Sequence, residues 1–79
     1  MSNKERYVQI FMDTFSITED QTKGLEYASI PEWDSVGHMS LMAELEDAFD
    51  IMMDTDDIID FNSFEKGMEI LANNYKVEF

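Results

Sequence analysis

Apolar residues in the first fifteen positions recur at helical spacing. Val8, Phe11 and Phe15, with Met12 beside them, fall on one face, which predicts an amphipathic helix ending near residue 15. Ser2 and Glu5, three residues apart, form a capping-box pair that sets its start. From Ser16 to Ile30 no period is sustained, because Thr18, Asp20, Thr22, Gly24 and Ser29 break it. That stretch is expected to be a long connecting loop, tacked onto the core by Leu25, Tyr27 and Ile30. Pro31 biases Ile30 toward an extended conformation and bars a helix there.

A second helix is expected from about Ser35 to Asp50, with Asp34 or Ser35 as its N-cap. On a helical wheel Met39, Leu41, Met42, Leu45, Ala48 and Phe49 share about half the circumference, the expected core stripe. Glu44, Asp47 and Asp50 lie off it, and Glu46 lies at its edge. Val36, Ser40, Ala43 and Asp47 form an opposite row facing solvent. Ile51, Met52 and Met53 lead to Asp54 or Thr55, either of which can cap a short helix containing Ile58 and Ile59. A last helix is capped by Asn62 or Ser63. Phe64, Met68, Leu71, Ala72 and Tyr75 form its stripe. Met39, Met42, Met53 and Met68 fall at expected core positions, where flexible methionines fill gaps and can yield to a guest. No strand pattern or internal repeat competes. The expectation is all-α: a single domain over residues 1–79, a small four-helix bundle with three main helices and one short one.

Composition narrows the function. In 79 residues, 44% hydrophobic and 13% aromatic content is enough for one modest core and too much for a disordered acidic tail. The absence of cysteine excludes disulfides, thiolate metal sites and a cysteine nucleophile. No apolar run approaches a membrane span, and Met1 to Arg6 leads into mixed sequence without a signal-peptide core, so a cytoplasmic chain without membrane insertion is expected.

The net charge of -13 argues against nucleic acid and anionic membranes as partners. Its distribution says more. Residues 31–62 hold ten acids and no lysine or arginine, while the flanking segments are nearly balanced. Solubility alone does not require such a block. A face that meets basic partners does, and Val36 sits apolar and outward among those acids.

Catalytic chemistry finds little support. His38 is the only histidine, it lies in the first turn of the second helix, and there is no glycine-rich phosphate loop. His38 reads either as a partly exposed helix-end residue or as the rim of a pocket beside Ser35. A calcium loop from Asp54 through Asp56 to Glu65 fails at Ile58, where an oxygen ligand belongs, and at Ile59, where glycine makes the turn. No metal site is expected. An acidic helical interaction module without a prosthetic group, with Ser35 only an N-cap, is a rival reading, as is a weak divalent-ion sensor.

Trp33-Asp34-Ser35-Val36-Gly37-His38-Met39, opening a helix that ends in Leu45-Glu46-Asp47-Ala48-Phe49-Asp50, resembles the attachment motif of acyl carrier proteins. The resemblance is clearest over residues 30–72. It implies a non-catalytic carrier bearing covalent 4′-phosphopantetheine on Ser35, installed from coenzyme A by a phosphopantetheinyl transferase. Asp34, Val36, Glu44, Glu46, Asp47 and Asp50 would face that transferase and the acyl-loading and acyl-accepting enzymes, through basic docking patches. His38, Met39, Met42, Leu45, Ile58, Ile59 and Met68 would line a pocket for the cargo. A monomer is expected. Val36 in place of leucine, Gly37 in the first turn, Ser40 in place of an acid and Asp54 in place of proline depart from the family pattern. The Trp33-Asp34-Ser35 form looks closer to stand-alone carriers of specialised pathways than to the fatty-acid carrier.

Overall fold

The computed structural model describes residues 1–79 and contains five helices and no strand. They are α1 (Asn3–Phe15), α2 (Glu19–Thr22), α3 (Ser35–Phe49), α4 (Thr55–Asp60) and α5 (Phe64–Tyr75). Four lie where apolar periodicity places them. The fifth, α2, falls inside the expected loop. Thr18 and Gln21 cap it, and Thr22 is buried with its hydroxyl donating to Glu19 O at 2.6 Å. One turn is too short to establish a period, so only the cap pair marks it in sequence.

Ser2 caps α1 through the capping box with Glu5. Bonding to the Ser2 backbone N–H and hydroxyl holds the Glu5 carboxyl below its usual range. The inward face of α1 is Tyr7, Phe11 and Phe15, while Val8 and Met12 are half-buried. Helix α1 packs along α3 and against α2. Past α5 the tail folds back, burying Val77 and setting Phe79 against Tyr7 and Phe49 at centroid distances of 5.4 and 6.3 Å.

All the buried apolar side chains form one cluster. Its centre is aromatic: Tyr7, Phe11, Phe15, Trp33 and Phe61 are each essentially inaccessible. Edge-on and tilted contacts join them, among them Phe11–Trp33 at 5.5 Å and Tyr7–Phe64 at 5.0 Å. Tyr7 satisfies its buried hydroxyl by donating to Phe64 O at 2.8 Å. The long connection is held by backbone bonds rather than by side chains alone. Leu25 O accepts from Phe64 N–H, and Tyr27 N–H donates to Asn62 O, both at 2.9 Å. Leu25 is buried, Ile30 half-buried and Tyr27 42% exposed, its ring edge-on to Trp33 and His38.

Two stripes differ from expectation. Met39 was expected in the core but is 55% exposed. It lies on the same edge of α3 as Glu46, toward short α4, while Leu41, Met42 and Leu45 face the core and Ala48 and Phe49 are half-buried. Ala72 is likewise exposed, because the buried face of α5 is rotated toward Gly67 and Ile70. Gly67 explains the rotation. A Cβ there would overlap the Phe61 ring and the Tyr7 hydroxyl. Met68 is half-buried rather than core.

Gly67→Ala therefore sets helix propensity against packing. Alanine is favoured by up to about 1 kcal/mol in a helix, but overpacking costs about 1–3 kcal/mol. Denaturant unfolding is expected to show net destabilisation; a more stable variant would refute the close packing. Tyr7 adds a pH dependence. Burial, with a smaller contribution from the Glu65 charge, raises its phenol well above 10.0. The unfolded chain then loses that proton first, so this contribution is intact below pH 10.0 and is lost as pH rises through the alkaline range. Tyr7→Phe is expected to flatten the alkaline fall in unfolding free energy.

Candidate functional site at the start of helix α3

The site begins with the cap. Asp34 is the N-cap of α3, with its Oδ1 accepting from Gly37 N–H at 2.8 Å and its carbonyl accepting from His38 N–H at 2.8 Å. Ser35 is thus the first helical residue, not the cap, and it is exposed. The backbone N–H groups of Ser35 and Val36 precede any partner within the helix. Gly37 is needed here because the Glu32 carbonyl lies where a Cβ would stand, with the Phe15 ring edge 3.3 Å from the same point. Glycine thus lets the segment before α3 fold onto the helix's own first turn.

Trp33 anchors that segment. Its indole is buried between Phe11 and Phe15, and its Nε1–H donates to His38 Nδ1 at 2.9 Å. Since Nδ1 is an acceptor, the neutral ring carries its proton on Nε2, which donates to Ile58 O at 2.8 Å. The half-buried His38 therefore joins three elements: the loop through Trp33, α3 by its own backbone, and α4 through Ile58. This places the histidine both at a helix end and at a pocket rim.

Beside it lies a groove of about 370 Å³, lined by Tyr27, Ser35, His38, Met39, Ile58, Ile59, Phe61 and Asn62. Of the expected lining residues, His38, Met39, Ile58 and Ile59 belong to it. Met42 and Leu45 are instead fully buried beneath α3, and Met68 does not reach it. Tyr27, Phe61 and Asn62 were missed because the Tyr27–Asn62 backbone bond brings together residues distant in sequence.

The outward row Val36, Ser40, Ala43 and Asp47 is exposed throughout, and Val36 is 76% accessible. Glu44 and Asp50 are exposed as well. Glu44 lines the surface between α1 and α3 with Ser40 and Asp13, and Asp50 terminates α3 in the left-handed region at φ 53°. Glu46 differs from its neighbours. It is half-buried, and its Oε2 accepts from Met53 N–H at 2.9 Å, bracing the turn after α3. One carboxylate oxygen of Glu46 is therefore engaged within the fold, whereas Asp47 beside it is exposed.

At the far end of α4, Tyr75 Oη donates to Asp57 Oδ2 at 2.6 Å and accepts from Asp54 N–H at 2.7 Å. Burial and the Asp57 bond raise its phenol pKa. The window from Asp54 to Glu65 is mostly helix, and Glu65 turns away to accept from Gly24 N–H at 3.4 Å. No three His, Asp or Glu side chains converge as a metal-holding group. No helix is long and apolar enough to cross a membrane.

The Trp33–His38 bond is measurable. Trp33→Phe and His38→Ala are each expected to lower stability by about 1–3 kcal/mol, since each leaves a partner unsatisfied. In a double-mutant cycle their losses should fall short of additivity by about 0.5 kcal/mol or more; strict additivity would mean that the rings are not coupled. Comparison with protein-family models, with curated proteins and with solved structures found no match to this chain.

Proposed function

We propose that this chain is an acyl carrier protein whose Ser35 bears 4′-phosphopantetheine. The observation that carries the reading is an exposed serine at the first turn of a helix, beside a largely apolar groove and in a segment, residues 31–62, with ten acids and no lysine or arginine. In this reading α1, α3, α4 and α5 are the four helices of the carrier bundle, and α2 is a turn added to its long connection. The chain is a monomeric cytoplasmic subunit and catalyses nothing itself.

The residues at the site suit the group. The N–H groups of Ser35 and Val36 stand at the positive end of the α3 dipole, where a phosphodiester is favoured. Asp34 already occupies Gly37 N–H and holds the turn that presents Ser35 outward. Ser35 Oγ is the acceptor: with a transferase and Mg²⁺ it gives up its proton and forms the phosphodiester, and adenosine 3′,5′-bisphosphate leaves coenzyme A. When attached, the arm supplies a thiol that holds an acyl or aminoacyl group as a thioester.

Val36, Asp47, Glu44 and Asp50 supply the exposed part of the docking face, with Glu46 as its brace. The acid block draws in basic partner surfaces at long range. Such docking is fast, weak and salt-sensitive, as suits a carrier that must leave each enzyme in turn.

Incubation with coenzyme A, Mg²⁺ and a broad-specificity phosphopantetheinyl transferase tests the reading. Intact-mass measurement is expected to show one added phosphopantetheine on the wild type and none on Ser35→Ala. An unchanged wild-type mass across several transferases would favour the acidic interaction module.

A further inference from the structure

The hold of His38 on the connection depends on a proton being absent. Its Nδ1 accepts from Trp33 Nε1–H at 2.9 Å, and its Nε2 bonds to Ile58 O at 2.8 Å. A neutral imidazole offers one acceptor and one donor, whereas an imidazolium offers two donors. A second proton therefore takes the Nδ1 lone pair that the indole N–H uses. Trp33 Nε1–H then faces another N–H, and only the contact with Ile58 O survives.

The indole has no replacement acceptor where it lies. Trp33 is fully buried, with Phe11 and Phe15 of α1 against it at 5.5 and 5.4 Å. A buried donor without a partner is costly, so the protonated state favours arrangements in which one of the two rings moves toward water. His38 is half-buried and lines the open groove, so the way out is short. Asp34 alone separates Trp33 from Ser35 in the chain. Motion of the indole thus reaches the residue that leads α3.

The surrounding groups do not restore the lost bond. Besides Trp33, the rings facing His38 are the Tyr27 phenol at 5.5 Å and Phe61 at 6.2 Å. The Asp34 carboxylate is bonded to Gly37 N–H. On α4, Asp57 is bonded to Tyr75 and Asn74, and Asp60 is exposed. Neither of the two ion pairs includes His38. The nearby acids bear on when the proton arrives, not on which bond it displaces.

We infer, resting on the carrier reading, that His38 is a positioning residue that makes the transfer to Ser35 depend on pH. With the ring neutral, the loop is fixed and Ser35 is presented to the transferase. With the ring protonated, Trp33 is released and Ser35 is presented poorly. Histidine suits this role because imidazoles change charge between about pH 5 and about pH 8.

The test measures kcat/KM for modification of Ser35 by one transferase at about pH 8 and about pH 5.5, a span in which imidazoles titrate. Wild type is compared with His38→Gln, whose amide does not titrate. The transferase's own pH dependence and the protonation of carboxylates are common to both. The wild-type value is expected to fall at least about threefold further than that of the variant, in proportion to the competent fraction lost. Acrylamide quenching of Trp33, the only tryptophan, should rise over the same range in the wild type and stay flat in His38→Gln. Parallel loading profiles, or constant quenching in the wild type, overturn the inference while the carrier reading stands. The wild-type quenching decides even if the glutamine variant does not fold. No loading at any pH overturns both.

Discussion

The indole of Trp33 and the imidazole of His38 hold the segment before α3 against that helix's first turn, and the presentation of Ser35 depends on this contact. The indole is buried among Phe11 and Phe15, so the loop cannot lift without exposing it. Its N–H needs an acceptor in a place water does not reach, and His38 Nδ1 is that acceptor. The same ring reaches Ile58 in α4. A single side chain thus fixes the loop, the start of α3 and the near end of α4. Gly37 completes the arrangement by letting the Glu32 carbonyl approach the helix.

The charges do little to hold this fold together. Only two ion pairs form, Lys23–Asp20 and Lys66–Glu69, both at 3.8 Å and well exposed, and such pairs contribute about 0–1 kcal/mol each. The acids between residues 31 and 62 have no basic residue in their own segment to meet. Stability comes instead from the aromatic cluster and from caps that use serine and aspartate oxygens, while the acid surface remains available to something outside the chain. Asp34, Glu46 and Asp57 are the exceptions, their carboxylates accepting from Gly37 N–H, Met53 N–H and Tyr75 Oη.

Helices α1, α3, α4 and α5 were legible because each carries an apolar period or a capping residue, and the outward row from Val36 to Asp47 was legible for the same reason. What sequence could not show were pairings between distant positions. Tyr7 has no place in the stripe expected for α1, yet it is fully buried, with its hydroxyl donating to Phe64 O, 57 residues away. Trp33 reads as part of a local motif until it proves to be the buried anchor. Met39 and Ala72 sit on the right half of their helices but beyond the part that neighbours cover, since α4 is short and Gly67 draws the contact of α5 the other way. Within the site, Ser35, His38, Ile58 and Ile59 were legible; Tyr27 and Asn62 were not, because a backbone bond across the chain brings them there.

Nitrogen NMR of the single imidazole at neutral pH reads this constraint directly. The account predicts one fixed tautomer, protonated at Nε2, with an Nε2–H slow to exchange and a coupling between His38 Nδ1 and the Trp33 indole N–H. A ring averaging between tautomers, or one protonated at Nδ1, would contradict it.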